Sequence, residues 1–242
     1  PDATDELSTT HSPTPTFACC STSPPNISTT HPRSRRHTES DTHMAAIALT
    51  LYVIWAVLAF GWRTLAQYRR TGDTGLRLHA EPNTPQWWAK IGFVIAIIIG
   101  FAAPIAAVAG LDNIAALDAS WLHATGVAVT IIGIVLTVVA QYAMGESWRI
   151  GVDTDERTAL VTSGAFAIVR NPIFTAMLVT AAGLTMTIPN VISVIGLVAL
   201  IAALEVQVRL VEEPYLLTAQ GDSYRTYAHH VGRFAPGIGR IR

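Results

Sequence analysis

The stretch IFTAMLVTAAGLTMTIPNVISVIGLVALIAALEVQV, residues 173–208, decides the fold of this chain. It contains two apolar runs, at residues 173–188 and at residues 191 to about 208, which Pro189-Asn190 separates. A helix needs about 20 apolar residues to cross a bilayer, and a Pro-Asn pair is typical of a tight turn. The stretch therefore predicts an antiparallel hairpin of two membrane helices, of which the first is somewhat short.

Three more apolar segments precede this hairpin, at residues 45–62, 91–110 and 121–144. Half of the residues are hydrophobic and only 14% are charged, whereas charged residues make up about a quarter of an ordinary soluble domain. The sequence therefore predicts an all-α fold, a polytopic transmembrane bundle of about five helices that ends in a polar tail. The formal net charge of -1 gives no indication of nucleic-acid binding.

The first 43 residues differ in composition from the rest of the chain. They are rich in Ser, Thr, Pro and His, and both cysteines, Cys19 and Cys20, lie among them. Such a segment buries too little apolar surface to offset its ordering entropy. Because Met44 directly precedes the first apolar segment, we expect residues 1–43 to be a non-native extension, with a genuine disordered tail as the alternative. The predicted division is then 1–43, three membrane helices in 44–144, and a C-terminal region in 145–242.

Basic residues are distributed unevenly among the loops. The loop at residues 111–120 and the Pro189-Asn190 turn contain no Lys or Arg. By the positive-inside rule the basic loops face the cytoplasm, and we expect the membrane to be a bacterial inner membrane. This places the end of the first helix, the loop before the hairpin and the C-terminal tail on one side. The basic residues there are Arg63, Arg69, Arg70, Arg77, Lys90, Arg149, Arg157, Arg170, Arg225, Arg233, Arg240 and Arg242.

Charged side chains bracket the hairpin, with Arg170 before it and Arg209, Glu212 and Glu213 after it. Ionised groups at the edge of hydrocarbon cost free energy unless they are paired or serve a ligand. One interpretation is a salt-bridge ladder, because Glu205, Arg209 and one of the two later glutamates share a helical stripe. The adjacent carboxylates Glu212 and Glu213 repel each other and are expected to lack a matching pair of cations nearby. We therefore favour a polar ligand site at the membrane surface.

Pro172 is placed to begin the first helix of the hairpin, where its missing N–H costs little. The free N–H groups of such a helix start attract a carboxylate or a phosphate. The alternative is a plain helix start preceded by an arginine at the cytoplasmic edge. Farther along, His229 and His230 lie in an aromatic, amphipathic tail that is typical of an interfacial helix.

At these residues the chain resembles the isoprenylcysteine carboxyl methyltransferase and phospholipid methyltransferase families of integral membrane enzymes. The resemblance covers roughly residues 145–236 and depends on the order and spacing of short motifs. The motifs are Leu160-Val161-Thr162-Ser163-Gly164, Arg170-Asn171-Pro172-Ile173-Phe174-Thr175-Ala176, Glu212-Glu213, Tyr224, Tyr227, Arg233-Phe234 and Pro236.

Three positions depart from the family pattern. Asn171 replaces a histidine, Phe174 replaces a tyrosine, and Ala176 replaces a glycine. Asn retains a donor and an acceptor but does not titrate near neutral pH. Phe174 retains the ring and loses the hydroxyl. The departures are compatible with cofactor binding. They weaken the inference that this chain acts on the same substrate as the family.

The resemblance implies S-adenosylmethionine as cofactor and a lipophilic acceptor that enters from the bilayer, such as an isoprenylcysteine carboxylate, a thiol or a lipid amine. It implies that Glu212 or Glu213 binds the ammonium or the ribose. Arg170 or the helix start then binds the carboxylate, and Phe166, Phe174 or Tyr227 lines the adenine. We expect Arg170, Asn171 and Glu213 to be catalytic and no metal to be bound. The expected cofactor-binding residues are Gly164, Phe166, Arg170, Asn171, Pro172, Phe174, Arg209, Glu212, Glu213, Tyr224 and Tyr227.

Two alternatives to this function stay open. One is a membrane reductase of the steroid-reductase type, which has a similar architecture and uses NADPH. The other is a non-enzymatic membrane protein with a decayed site, which the three departures support. The sequence does not identify one side chain as the general base, although His229 and Glu213 are candidates. This favours a carboxylate or an already ionised thiolate as acceptor, because neither needs deprotonation.

Overall fold

The computed structural model describes residues 32–74, 80–144 and 160–241, with side chains from residue 39 onward in the first range. These ranges are helical apart from turns and two isolated β-bridges. Four stretches are long and apolar enough to cross a membrane, Glu39–Thr71, Pro85–Val108, Ser120–Ala143 and Val191–Gln220, and Pro172–Thr187 is a shorter apolar helix. This architecture confirms the predicted all-α transmembrane bundle of about five helices.

The α-helices are α1 (Pro32–Ala56), α2 (Arg63–Thr71), α3 (Pro85–Val108), α4 (Ser120–Ala143), α5 (Pro172–Thr187), α6 (Val191–Val206), α7 (Glu213–Gln220) and α8 (Asp222–His230). Two π-helical segments each join the α-helix before them to the α-helix after them, so that each pair forms one continuous helix. The first, Val57–Trp62, joins α1 to α2, and the second, Gln207–Glu212, joins α6 to α7. Short 3₁₀ turns lie at Ala115–Leu117 and Gly164–Ala167.

Two predicted helix limits differ from the structure. The first helix begins at Pro32 and not at residue 45 as predicted, so residues 32–43 are helical, while residues 1–31 lie outside the described residues. The last membrane helix continues past residue 208 as far as Gln220. Extending an existing helix adds one hydrogen bond for each residue fixed, whereas starting one is unfavourable. Polar residues therefore join a helix that the apolar residues have already nucleated.

Helices α4 and α5 pack against each other through glycine and threonine, which let their backbones approach closely. A Cβ atom on Gly183 would lie 2.4 Å from the backbone nitrogen of Thr130, and one on Gly133 would lie 2.4 Å from Oγ1 of Thr180. The hydroxyls of Thr130 and Thr180 donate to the carbonyls four residues earlier in their own helices, at 2.8 and 2.9 Å. The contact therefore buries threonines without leaving their hydroxyls unbonded.

Gly183→Ala is expected to destabilise this contact by about 2 kcal/mol, because the added methyl meets backbone that cannot move aside easily. Gly61→Ala is the matched control, since a Cβ atom there meets nothing within 4 Å. Alanine also has the higher helix propensity, so the control is expected to be neutral or slightly stabilising. Thermal unfolding in detergent measures both variants, and equal melting temperatures would contradict this account of the α4–α5 contact.

The hairpin of α5 and α6 turns at Pro189-Asn190, as predicted. Asn190 is completely buried, and its Oδ1 accepts a hydrogen bond from the backbone nitrogen of Ser193 at 2.9 Å, which caps α6. Its Nδ2 donates to the carbonyl of Ala103 at 3.1 Å. One side chain thus closes the turn and attaches the hairpin to α3.

Candidate functional site

One cavity of about 230 Å³ lies where the ends of the membrane helices meet. Its wall includes Phe60 of the first π segment, the start of α3, the end of α4, the start of α5 and the end of α6. These ends share one face of the bundle, as the distribution of basic residues predicts. The lining residues are Phe60, Ala89, Lys90, Phe93, Gln141, Met144, Leu160, Val161, Phe166, Arg170, Asn171, Pro172, Ile173, Phe174, Met177, Leu204, Gln207, Val208, Glu212, Leu216, Tyr224 and Tyr227.

Glu213 is held between two arginines beside this cavity. Its Oε1 lies 2.9 Å from Nη2 of Arg170, and Arg233 binds both of its carboxylate oxygens, at 2.8 and 2.9 Å. Glu213 and Arg170 are buried. The expectation that the two glutamates lack nearby cations is therefore wrong for Glu213, because its partners come from distant parts of the chain. The carboxylate of Glu213 is therefore occupied by structural contacts with two guanidiniums.

Arg170 connects the start of α5 to the C-terminal segment, residues 231–241. Its Nη1 donates to the hydroxyl of Tyr224 at 2.9 Å, and its Nη2 donates to the carbonyl of Gly239 at 2.6 Å. Its Nε is buried and has no hydrogen-bond partner among the described residues. Arg170 also lines the cavity, and a buried donor without a partner costs free energy that a hydrogen bond to a ligand would recover.

The C-terminal segment is bound to the backbone just before α5. The backbone nitrogens of Arg170 and Asn171 donate to the carbonyls of Gly232 and Arg233, at 2.8 and 3.1 Å. Nδ2 of Asn171 donates to the same carbonyl of Arg233 at 3.2 Å. Asn171 therefore lines the cavity while its amide holds the segment, a role that does not require the histidine of the family pattern. Pro172 begins α5 as predicted, and no side chain caps that helix start.

The second π segment turns Gln207 and Glu212 toward each other. Nε2 of Gln207 donates to Oε1 of Glu212 at 3.1 Å, and both residues line the cavity. In an α-helix, residues five apart point about 140° from each other, whereas in a π-helix they are hydrogen-bonded neighbours. Gln207 was missed in the sequence because no local signal announced the π segment. Glu212 is the carboxylate that faces the cavity, and Glu213 is not.

Arg209 does not line the cavity. Its side chain is exposed and forms an ion pair with Glu205 on the outer face of the same helix. This pair agrees with the salt-bridge ladder that was the alternative to a ligand site for Glu205 and Arg209. His229 and His230 are also exposed, on α8. Gly164 is not in the cavity wall and begins the 3₁₀ turn that carries Phe166, with a φ of 62° that favours glycine.

Aromatic side chains form a further part of the wall. The hydroxyl of Tyr227 donates to the carbonyl of Phe166 at 2.5 Å, and the rings of Tyr224 and Tyr227 meet edge to face with centroids 6.2 Å apart. Burial raises the pKa of Tyr227 to about 12 and also raises the pKa of Tyr224, although Arg170 opposes the second shift. Both phenols therefore remain protonated at neutral pH. Phe174 lies in the same cavity wall.

Tyr227→Phe is expected to lower stability by about 1 kcal/mol, because the carbonyl of Phe166 loses its donor. The stabilisation by Tyr227 is complete below about pH 10 and is lost as pH rises through about 12, since the folded pKa lies above the usual value of the phenol. Thermal unfolding at pH 7.5 measures the first effect. A Tyr68→Phe variant serves as control, since Tyr68 is 55% exposed and lies outside the cavity wall. Equal losses in the two variants would contradict the assigned role of Tyr227.

Comparison with known proteins agrees with this architecture. A family model described as phospholipid methyltransferase matches residues 121–222. Among curated protein sequences, none is significantly similar to this chain. A solved structure of the eukaryotic intramembrane Ras methyltransferase, isoprenylcysteine carboxyl methyltransferase, has a TM-score of 0.53 and 20% sequence identity, over 81% of this chain and 70% of that chain. The resemblance predicted from the motifs is confirmed.

Proposed function

We propose that this chain, whose residues 121–222 match a family model described as phospholipid methyltransferase, transfers a methyl group from S-adenosylmethionine to a lipophilic acceptor. The single observation that carries the proposal is the composition of the cavity wall. One part offers a carboxylate, a guanidinium with an unused donor and aromatic rings, and another part is apolar. The methyl donor and the acceptor are expected to meet where these two parts join.

The polar part of the cavity fits the groups of the donor. S-adenosylmethionine supplies a methyl group activated by a sulfonium, and it has an ammonium, a carboxylate, a ribose and a flat adenine. In this proposal Glu212 accepts hydrogen bonds from the ammonium or the ribose hydroxyls. In this proposal the guanidinium of Arg170 and the uncapped start of α5 bind the carboxylate. Phe166, Phe174 and Tyr227 provide aromatic surface for the adenine.

The apolar part of the cavity suits the acceptor. Phe60, Phe93, Met177, Leu204 and Val208 come from four different helical stretches and line it together. Such a wall binds hydrocarbon by excluding water, and exclusion of water also favours an in-line transfer between aligned groups.

Few groups in this wall are able to act as a general base. Glu213 is held by two arginines and His229 is exposed, so neither prediction of a base at these positions gains support from the contacts. Glu212 is the one carboxylate among the described residues that line the cavity. Lys90 also lines it and favours an anionic acceptor. We therefore propose an acceptor that needs no deprotonation, such as a carboxylate or a thiolate that is already ionised.

The protein is an integral membrane protein, and we propose that the cavity faces the cytoplasm of a bacterial cell. The basic residues at the cavity end of the bundle support this orientation by the positive-inside rule. The cytoplasm is also where a soluble nucleoside donor reaches the cavity directly.

A labelled-donor experiment tests this function. The purified chain is incubated with membrane lipid extract and S-adenosylmethionine that carries an isotopically labelled methyl group, and the lipids are analysed by mass spectrometry. The expected result is a labelled lipophilic product that forms more than about tenfold faster than without protein. Titration calorimetry with S-adenosylhomocysteine and with NADPH accompanies it. Binding of NADPH alone, with no labelled product, would overturn the proposal in favour of a reductase.

A further inference from the structure

A second cavity, of about 240 Å³, lies outside the candidate site at the junction of α2 and the end of α4. Three of the residues that line it are arginines, Arg63, Arg69 and Arg70. Arg63 is 3% exposed, while the other two are exposed. The remaining lining residues are Trp62, Leu65, Ala66 and Tyr142.

The charge of this cavity is one-sided. No acidic residue is present in its wall among the residues that the structure describes. The exposed guanidiniums of Arg69 and Arg70 repel each other, more strongly near hydrocarbon than in bulk water. Arginines at the end of a membrane helix are retained when they serve a partner of opposite charge. A bound anion is therefore the chemistry that the cavity favours.

The rest of the wall indicates where this anion comes from. Trp62, Leu65 and Tyr142 are 50%, 42% and 49% exposed, so the arginines are flanked by open apolar and aromatic surface. Nε1 of Trp62 donates to the hydroxyl of Tyr142 at 3.3 Å, which joins the two helices across the cavity. Trp and Tyr are typical of the level of the lipid headgroups, where they contact glycerol and the first methylenes of the acyl chains. A free anion in solution would not contact the apolar and aromatic surface that flanks the arginines.

We propose that this cavity binds the phosphate headgroup of an anionic membrane phospholipid, with the acyl chains against Trp62, Leu65 and Tyr142. The phosphate lies against the exposed Arg69 and Arg70, because basic pockets beside membrane helices favour anionic headgroups. This site is separate from the methyl-transfer cavity, although the adjacent residues Gln141 and Tyr142 line one cavity each. The proposal does not depend on the function proposed above.

The test measures lipid binding to the delipidated full-length chain in detergent by native mass spectrometry. The probes are phosphatidylglycerol and the zwitterionic phosphatidylcholine with the same acyl chains. The unmodified protein is expected to prefer phosphatidylglycerol by about tenfold or more. The double variant R69A/R70A is expected to bind phosphatidylglycerol about thirtyfold more weakly, at roughly a fivefold loss for each cation near the headgroup. Arg63 is left unchanged because its burial makes misfolding a risk.

Two further variants and a soluble anion complete the design. R69K/R70K retains both charges and is expected to stay within about threefold of the unmodified protein. R225A is the control, because Arg225 is exposed and pairs with Asp222 outside this cavity. Unchanged phosphatidylglycerol binding in R69A/R70A would overturn the site. Displacement of the lipid by inorganic phosphate at equal concentration would show a free-anion site and would overturn the lipid assignment.

Discussion

Glu213→Gln is expected to lower the free energy of unfolding by about 3 kcal/mol, or the melting temperature by about 10 °C. The substitution preserves the shape of the side chain and removes its charge. Arg170 and Arg233 are then left facing each other without the carboxylate that binds both of them at 2.8 to 2.9 Å. A buried charge that loses its partner costs more than the intact pair contributes. Release of the C-terminal segment follows, since Arg233 belongs to it.

Thermal unfolding in a single detergent measures this effect, with Asp222→Asn as the matched control. Asp222 begins α8 and pairs with Arg225, and both side chains are exposed. Exposed ion pairs contribute at most about 1 kcal/mol, so the control is expected to melt within about 3 °C of the unmodified protein. If both variants melt alike, the three-residue ion pair is not what fixes the C-terminal segment.

Glu212→Gln is expected to have the opposite pattern, with unchanged folding and at least about a hundredfold weaker binding of S-adenosylhomocysteine. Glu212 faces the cavity and accepts a hydrogen bond from Nε2 of Gln207 at 3.1 Å, so the substitution does not break an ion pair among the described residues. Two charge-assisted hydrogen bonds to a ligand contribute about 3 kcal/mol together, which corresponds to roughly a hundredfold in affinity.

Titration calorimetry on the purified protein measures this second effect, and the melting temperature of the same sample confirms that it is folded. Arg209→Ala is the control, because Arg209 was expected in the site and lies outside the cavity wall. It is expected to bind the nucleoside as well as the unmodified protein does. Retained affinity in Glu212→Gln would remove Glu212 from the donor site. Lost affinity in Arg209→Ala would return Arg209 to the cofactor-binding residues, where the sequence had placed it.

The adjacent glutamates show how far sequence reasoning reaches in this protein. The motif made Glu212-Glu213 the centre of the expected site, and both lie at the cavity end of the bundle. The motif does not distinguish their roles, because both are carboxylates at one helix end. Arg233, which the motif contains, was not predicted to be a site residue, and Gln207 was not singled out at all. Both assignments depend on contacts across the fold or on local helix winding.

The membrane helices, the Pro189-Asn190 turn and the helix start at Pro172 were determined by the sequence alone. Each depends on chemistry within a few residues, namely apolar length, a backbone restricted by proline, and the cap that Asn190 supplies. The face of the bundle that holds the candidate site was likewise indicated by the basic loops. The family resemblance followed from motif spacing, which is also a property of the linear chain.

Only the tertiary structure decided which charged groups bind each other and which face the cavity. Arg170 and Arg233 reach Glu213 because the C-terminal segment folds back against the start of α5, which no local pattern encodes. The π segment turns Gln207 and Glu212 into the cavity and leaves Arg209 on the outside. The physical reason is that ion pairing and side-chain direction depend on the complete packing of helix ends, whereas apolar length and turn chemistry do not.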